Sequence, residues 1–155
     1  MVISGSDIVK FSEELRAAGK KIIFTNGCFD ILHVGHVRYL NQARSLGDCL
    51  IVGLNSDESV RKLKGSSRPI NNEADRAEVL GGLKAVDHVV VFAEPTAESL
   101  IAKVRPAVYA KGGDYCLDNL PEAKIVQSYG GTVELIPFVD GKSSTKIIQR
   151  IQSSN

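Results

Sequence analysis

Hydrophobic residues gather in five short runs along the chain, and a stretch with helical features follows each run. The runs cover residues 22–24, 49–55, 88–92, 107–111 and 132–137. The run CLIVGLN at 49–55 is apolar at almost every position, which is typical of a parallel strand covered by helices on both faces. Strands that alternate with helices predict an α/β fold, a doubly wound five-stranded parallel sheet with right-handed crossovers.

The first 20 residues predict an amphipathic helix. Ile8, Phe11 and Leu15 recur at helical spacing. We expect this helix to pack against an edge of the sheet; a second interpretation is that it joins two subunits of a homodimer. No linker, repeat or low-complexity segment interrupts residues 21–151, so the sequence predicts a single domain over residues 1–155 with 21–151 as its core.

The composition is that of an ordinary globular protein, with 43% hydrophobic residues, 24% charged residues and a net charge of +1. So small a net charge gives no overall attraction to nucleic acid or to an anionic membrane, and we expect neither as a partner. No apolar run approaches the roughly 18 residues of a membrane span, and the N-terminus lacks the pattern of a signal peptide. Cys28, Cys49 and Cys116 are widely spaced and odd in number, which predicts reduced thiols and a cytoplasmic location.

The segment KIIFTNGCFDILHVGH, residues 21–36, combines a strand, a turn that opens at Asn26 and the start of a helix near His33. A strand that leads into a helix N-terminus directs backbone N–H groups and the positive end of the helix dipole at one point, which suits phosphate. His33 and His36 share one face of the first helical turn. We expect both imidazoles to donate hydrogen bonds to one phosphate group, with Gly35 between them allowing the ligand to approach closely.

Basic residues cluster in SVRKLKGSSRPIN, which follows the run at 49–55 and contains the glycine, serines and proline of a mobile loop. Such a cluster on its own is typical of a solvated surface. This one follows the carboxyl end of a parallel strand, where open α/β sheets bind ligands. The candidates to bind phosphate or sugar groups are the polar residues at the strand end and the cations behind it: Asn55, Asp57, Arg61, Lys62, Lys64 and Arg68.

Two later segments also follow predicted strands. KGGDY, residues 111–115, contains two glycines that let backbone pass close to a ligand, although a tight turn would use the same glycines. SSTKIIQRI starts an apolar-periodic helix at Ser143, which is either a plain N-cap or a second helix terminus that binds phosphate. Arg76 lies in the first turn of a helix that Asn72 caps, and from position alone it is a surface arginine.

Other chemistries are disfavoured by the motifs. The sequence contains neither the GxGxxG dinucleotide fingerprint nor the GxxxxGK[ST] phosphate loop, which argues against hydride transfer and P-loop kinase chemistry. A rival interpretation makes His33 and His36 zinc ligands with Cys28 nearby. Structural zinc sites need four ligands, and the sequence has no second pair at a suitable spacing, so we expect no protein-bound metal centre.

TNGCFDILHVGH resembles the signature of the His-X-Gly-His nucleotidyltransferases, the cytidylyltransferase-like superfamily. NSDESVRKLKGSSRPIN, NEADRAEVLGGLKAVDHVVVF, KGGDY and DGKSSTKIIQRI resemble successive blocks of one branch of it. That branch contains the adenylyltransferases of ADP-heptose synthesis, which occur alone or fused behind a sugar kinase. The likeness extends from Lys21 to Ile151.

The resemblance implies a Rossmann-like nucleotidyltransferase fold and transfer of AMP from ATP, with Mg²⁺, to a heptose 1-phosphate for lipopolysaccharide core or other surface glycans. A separate heptose kinase would supply the sugar phosphate. Catalytic roles are implied for His33, His36 and Lys64, and Asp30 would orient His33 or the waters of the metal. The implied nucleotide-binding residues are Asn26, Gly27, Cys28, Phe29, Asp30, Gly35, Arg76, Lys111, Gly112, Gly113, Asp114, Ser143, Ser144 and Thr145. The implied sugar-phosphate residues are Asn55, Asp57, Lys62 and Arg68.

Two alternatives stay open on the sequence. Glycerol-3-phosphate cytidylyltransferases share the TNGCFDILHVGH pattern, but they usually carry an arginine where Phe138 stands, and an MGDDW-like block in place of KGGDY. Both departures match the heptose branch. The second alternative is a catalytically silent nucleotide-binding protein, against which the intact His33, His36, Lys64 and Ser-Ser-Thr motif argue.

Overall fold

The computed structural model describes residues 1–113, 116–137 and 141–154. Within these ranges the chain forms one parallel sheet of six strands, in the order β1-β4-β3-β2-β5-β6. The strands are β1 (Val2–Ile3), β2 (Ile22–Gly27), β3 (Cys49–Asn55), β4 (His88–Phe92), β5 (Val108–Gly112) and β6 (Thr132–Ile136). The predicted parallel α/β sheet is therefore confirmed, but the predicted number of five strands is wrong.

Helices cover both faces of the sheet, as expected for a doubly wound fold. They are α1 (Ile8–Ala17), α2 (Val34–Arg44), α3 (Asp57–Lys64), α4 (Glu73–Gly81), α5 (Glu98–Val104), α6 (Pro121–Ser128) and α7 (Ser144–Ser153), with a short 3₁₀ turn at Leu117–Asn119. One core contains Leu40 of α2 and Leu80 of α4, and the other contains Ile8 of α1 and Ile101 of α5. Consecutive strand residues alternate between the two cores, which explains why all seven residues of β3 are buried.

The additional strand is the N-terminal segment before the predicted helix. Val2 and Ile3 pair with Val89 and Val90 of β4, and the Met1 ammonium donates to the carbonyl of Asp87 at 3.0 Å. Two residues are too short to produce the alternating pattern by which a strand is recognised. The segment is recognised as a strand only from its pairing with β4 in the structure.

The first part of the predicted mobile loop after β3, up to Lys64, is helical. Ser56 accepts a hydrogen bond from the N–H of Ser59, which caps α3, and Val60 is fully buried on the inner face of the helix. The turn that the glycine predicts begins only at Gly65, where φ is +103°. One buried apolar residue in eight is too weak a stripe to reveal a helix among so many polar positions.

The strand order reverses at β2, which pairs with β3 on one side and with β5 on the other. In an open parallel sheet the carboxyl ends on either side of such a reversal border a crevice. Tyr39 of α2 spans it, because its hydroxyl donates to the carbonyl of Ala110 at 3.0 Å and contacts the hydroxyl of Thr25. The fold thus prepares one open site at the carboxyl ends of β2 and β5.

The three cysteines are free thiols, and Cys49 is buried while Cys116 is exposed. Across the described parts of the chain, every helix is too short or too polar to cross a bilayer. The cytoplasmic location stays a prediction.

Candidate active site

A cavity of about 600 Å³ opens at the carboxyl edge of the sheet, over the reversal at β2. Most of the residues predicted from sequence line this cavity. They are Asn26, Gly27, Cys28, Phe29, Asp30, His33, Gly35, His36, Asn55, Lys64, Arg68, Lys111, Gly112, Ser143, Ser144 and Thr145. Four turns and two helix starts that lie far apart in sequence therefore meet at one place.

The two imidazoles of the motif are stacked at the start of α2. Their ring centroids are 3.9 Å apart, and the ring planes are inclined by 32°. His33 is the N-cap, and its Nδ1 accepts a hydrogen bond from the N–H of Gly35 at 3.0 Å. The Nδ1 of His36 accepts from the backbone N–H of His33 at 3.3 Å. The helix start is thus capped reciprocally by two histidines in place of the usual serine and glutamate.

This capping determines the form in which each histidine meets a ligand. Because each Nδ1 is an acceptor, the proton of each neutral ring is on Nε2, which is left as a donor. Burial, together with the neighbouring His33, lowers the pKa of His36 to about 4. Burial also lowers the pKa of His33, with a contribution from the Lys142 ammonium. Near neutral pH the pair is therefore uncharged and presents two Nε2–H donors.

Two glycines of the cavity wall make room for neighbouring rings. A Cβ on Gly35 would lie 2.8 Å from the His33 ring, and a Cβ on Gly27 would lie 2.9 Å from the Phe29 ring. Phe29 itself has a left-handed backbone, with φ of +45°. Gly35 therefore leaves room for the His33 ring. Because Gly35 also lines the cavity, its role in the close approach of a ligand stays a prediction.

The N-terminus of α7 forms the opposite wall. Ser143 caps the helix by accepting from the N–H of Lys146 at 3.0 Å, and the Ser144 hydroxyl donates to the carbonyl of Ile31 at 2.6 Å. Both hydroxyls thus hold the helix in place, as the N-cap interpretation predicted. The N–H groups of Ser144 and Thr145 belong to the first turn, which has no acceptor within the helix. They are the groups that this helix start offers to a phosphate.

The charges lining the cavity are mostly positive. Its cations are Lys64, Arg68, Lys111 and Lys142, and its acidic residues are Asp30 and Glu122. Arg68 also reaches across the opening to the Thr145 hydroxyl at 3.5 Å. A chain with a net charge of +1 therefore concentrates cations at one place, which favours an anionic ligand there.

Arg76 is neither a surface residue nor part of the cavity wall. It is 2% exposed and donates to the carbonyls of Asn71, Cys28 and Asn55 at 2.8–2.9 Å. It also pairs with the carboxylate of Asp57 at 2.8 Å. Its guanidinium is thus committed to the backbone behind the cavity, and any effect of Arg76 or Asp57 on a ligand is indirect.

Of the two roles predicted for Asp30, the orientation of His33 is not seen, and the orientation of the waters of a metal ion stays a prediction. The two carboxylate oxygens of Asp30 accept from the N–H groups of Ile70 and Asn71 at 2.7 and 2.9 Å. The carboxylate therefore anchors the segment after Arg68 and does not orient His33, whose Nδ1 is held by Gly35.

Four other predicted residues lie outside the cavity wall or outside the described chain, and one of them, Arg61, is exposed on α3. Lys62 pairs with Glu58 on the exposed face of α3 at 3.0 Å, since the helix turns it away from the cavity. Gly113 is buried but does not contact the cavity, and Asp114 lies outside the described residues, as does Phe138.

The cavity also contains residues that the sequence did not suggest: Tyr39, Leu63, Phe92, Pro95, Thr96, Ala97, Glu122, Pro137 and Lys142. Some had a usable signal. Tyr39 lies one turn after His36, Lys142 directly precedes the N-cap, and the segment after β4 lies at a carboxyl strand end like the others. No sequence signal pointed to Glu122, because a single acidic residue at a helix start is common.

Within the described residues, no group of three His, Cys, Asp or Glu side chains is arranged to hold a metal ion. Of the acidic residues in the cavity wall, Asp30 has each carboxylate oxygen engaged by a backbone N–H. The donors that the cavity offers to a magnesium ion are therefore few.

Comparison with known proteins agrees with this arrangement. The model of the cytidylyltransferase-like family matches residues 24–150. The bifunctional protein HldE of Geobacter sulfurreducens is 57% identical over 136 residues, which are 88% of this chain and 28% of that protein. The HldE of Aliarcobacter butzleri is 55% identical over 96% of this chain and 30% of its own length, and that of Wolinella succinogenes 52% over 99% and 31%. The chain thus spans less than a third of these relatives.

A solved structure supports the fold. The lipopolysaccharide core biosynthesis protein from Thermoplasma volcanium superposes with a TM-score of 0.63 at 29% sequence identity. The match covers 80% of this chain and all of that one.

The buried guanidinium leads to a first prediction. Arg76→Met should lower the free energy of unfolding by about 3 kcal/mol or more, because it leaves three carbonyls without their donor and Asp57 without its counter-ion. Lys62→Met, which breaks an exposed pair, should change it by less than about 1 kcal/mol. Urea unfolding measures both. Equal small effects would mean that the guanidinium network does not stabilise the fold.

The neutral histidine pair leads to a second prediction. The pKa of His36 is lowered from 6.5 to about 4, so the unfolded chain takes up this proton at a higher pH than the native protein does. Stability contributed in this way is complete above about pH 6.5 and is lost as the pH falls towards 4. The ring protons of His36 followed by NMR in the free protein should titrate near pH 4, and His36→Gln should flatten the loss of stability. A titration midpoint at or above the ordinary value would contradict this.

Proposed function

Because the chain belongs to the cytidylyltransferase-like nucleotidyltransferases, we propose that it transfers AMP from ATP to a heptose 1-phosphate, giving ADP-heptose and pyrophosphate. The stacked pair of neutral imidazoles at the start of α2, with both Nε2–H groups left as donors, is the observation that carries this proposal. A neutral imidazole whose Nδ1 accepts from backbone still donates its Nε2–H to a phosphate oxygen.

In the reaction, an oxygen of the sugar phosphate attacks the α-phosphorus of ATP. A new P–O bond forms as the bond to the β-phosphate oxygen breaks in line with it, and the electron pair leaves with pyrophosphate. This single displacement requires no protein nucleophile, so catalysis consists of positioning the substrates and of stabilising the charge on the α-phosphate oxygens. His33 and His36 supply hydrogen-bond donors to these oxygens.

The cations around the pair take the remaining charge. Lys64 neutralises the β- and γ-phosphates or the phosphate of the acceptor, and Arg68 binds the acceptor phosphate. The first turn of α7 and Lys142 hold the departing pyrophosphate, since backbone N–H groups and a neighbouring ammonium suit an anion. Asn55, at the end of β3, faces the sugar hydroxyls.

Magnesium fits this proposal as a companion of the nucleotide. When bound, it neutralises and orients the phosphate oxygens of ATP, which with water would supply most of its ligands. The described cavity wall contains two carboxylates, Asp30 and Glu122, which is too few to hold the ion without ligands from ATP and water.

The proposal extends to the pathway through the chemistry of the acceptor. A sugar 1-phosphate must be supplied by a phosphorylating enzyme, and we assign that step to a heptose kinase. The HldE relatives, which are named bifunctional, are more than three times as long as the segment that they share with this chain. A second activity of those proteins can therefore lie in the part of their sequence that this chain does not match. The product would donate heptose to lipopolysaccharide core or other surface glycans. A homodimer stays part of the proposal.

Removing either donor of the histidine pair tests the mechanism. His33→Ala and His36→Ala should each lower kcat by about 10² or more, which is the scale for one oriented donor to a transition state. Binding of the nucleotide should weaken far less. A pyrophosphate-release assay gives the rate and equilibrium dialysis gives the affinity.

A matched control is His88, a half-buried histidine of β4 whose ring packs against Phe11 outside the cavity. His88→Gln should leave kcat within about twofold of the unsubstituted protein. Near-normal turnover in both His33→Ala and His36→Ala would refute the clamp.

The substrates are tested by a panel that combines ATP or CTP with heptose 1-phosphate or glycerol 3-phosphate. We expect the fastest pyrophosphate release with ATP and heptose 1-phosphate. Glycerol 3-phosphate should be a poor acceptor, because a site built for many hydroxyls leaves polar groups unpaired around a small one. Faster formation of CDP-glycerol would reject the heptose assignment and keep the nucleotidyltransferase. Binding of ATP without turnover in any combination would favour a catalytically silent protein.

A further inference from the structure

Glu122 is a buried acidic residue in the cavity wall that the mechanism above does not use. Glu122 is 6% exposed, and it lines the cavity together with Lys111 and Gly112 at the end of β5. Among the described residues it has neither a hydrogen-bond partner nor an ion-pair partner. A buried carboxyl group in this situation is costly unless a ligand or water completes its hydrogen bonds.

The position of Glu122 is rigid. It is the second residue of α6, directly after Pro121, and the helix is anchored by Ala123 and Val126, which are almost completely buried. A negative charge in the first turn also interacts favourably with the helix dipole. The carboxyl group is therefore held in the cavity wall by packing, and no conformational change is needed to expose it to a ligand.

Glu122 differs from the other acidic residue of the wall. Each carboxylate oxygen of Asp30 accepts a hydrogen bond from a backbone N–H group. In the part of the chain that the structure describes, the oxygens of Glu122 accept none. Among the described residues, the unpaired polar side-chain atoms with no access to solvent belong to Ser12 and His88. The oxygens of Glu122 are not among them, so they are accessible from the cavity. Glu122 is thus a fixed acceptor in the cavity wall that is open to a ligand.

Charge decides which part of a ligand this acceptor meets. A triphosphate next to a carboxylate would be repelled, and the groups suited to phosphate lie instead at the starts of α2 and α7. The complementary groups for a carboxylate are uncharged donors, above all hydroxyls. Two substrates of the proposed reaction carry them, the ribose of the nucleotide and the acceptor sugar.

The strand order separates the two sides of the cavity. Asn55 and the segment at Pro95–Ala97 follow β3 and β4 on one side of β2, whereas Glu122 and Lys111 belong to the β5 side. In the proposed function the acceptor sugar meets Asn55, which leaves the nucleoside for the β5 side. The ribose is therefore the nearer source of hydroxyls.

We propose that Glu122 accepts hydrogen bonds from the ribose hydroxyls of the nucleotide and selects ribonucleotides over deoxyribonucleotides. This inference rests on the proposed function only for the side on which the nucleotide lies, and it holds for any base. Glu122 is a specificity-determining residue and takes no part in the bond changes.

The test is equilibrium binding with Mg²⁺ and without acceptor. The nucleotides are ATP, 2′-deoxy-ATP and 3′-deoxy-ATP, with CTP and 2′-deoxy-CTP as a second pair. The unsubstituted protein should lose about tenfold or more in affinity on removal of the hydroxyl that Glu122 binds, the scale of a hydrogen bond to a charged group. Glu122→Ala should bind the ribonucleotide about tenfold more weakly and discriminate less than about twofold. Glu122→Gln, which keeps one acceptor, should lie between them.

Glu13→Ala, an exposed position on α1, is the matched control and should retain the full discrimination. If Glu122→Ala fails to fold, as circular dichroism would show, Glu122→Gln decides the question by its reduced discrimination. Because no acceptor is present, these results are independent of whether ADP-heptose is formed.

Three outcomes overturn the inference. Unchanged affinity of Glu122→Ala for ATP would remove any role in nucleotide binding, and a raised KM for heptose 1-phosphate in a separate turnover assay would then assign the carboxyl group to the acceptor sugar. A weaker affinity with the full ribose discrimination would place the carboxyl group elsewhere. If purine riboside triphosphate is added to the panel, lost discrimination between it and ATP in Glu122→Ala would assign the carboxyl group to the N6 amino group of adenine.

Discussion

The guanidinium of Arg76 is the interaction on which the geometry of the site depends most. It connects the carbonyl at the end of β2, the carbonyl at the end of β3, the carboxylate at the start of α3 and the backbone before α4. Carboxyl ends of parallel strands have no ladder partner beyond the last pair, so something else must fix the turns that follow. One side chain with five N–H donors does so here, and Asp30 attaches the segment after Arg68 to the same frame.

The proposed phosphate site uses uncharged histidines, and contacts at the start of α2 explain how they are held. The stacked rings would repel each other if both were protonated, and burial keeps them neutral. Their Nδ1 atoms are used to start α2, so capping, tautomer and direction of the donors follow from a single local arrangement. The positive charge is supplied separately, by lysines and an arginine on other segments. Donors and charges are thus placed by different parts of the chain.

Much of this was predictable from sequence because it depends on local periodicity. The parallel sheet, the buried run at Cys49–Asn55, the caps at Asn72 and Ser143, and most of the cavity wall follow from apolar runs and from the rule that carboxyl strand ends meet. What failed depends on contacts between distant residues. The strand at Val2–Ile3 exists only against β4, and α3 hides its single buried valine among polar residues. Arg76 and Glu122 look like surface charges until their neighbours are known.

The wall of the cavity is assembled mainly from turns and helix starts that lie outside the two hydrophobic cores. Leu63 is 58% exposed, and Pro95 and Thr96 in the turn after β4 are exposed as well. Evolution can therefore alter these positions, and with them the shape offered to an acceptor, at little cost to folding. The buried guanidinium and the paired imidazoles do not have that freedom. A nucleotidyltransferase with this fold can thus change the acceptor that its cavity fits while the residues at the start of α2 stay the same.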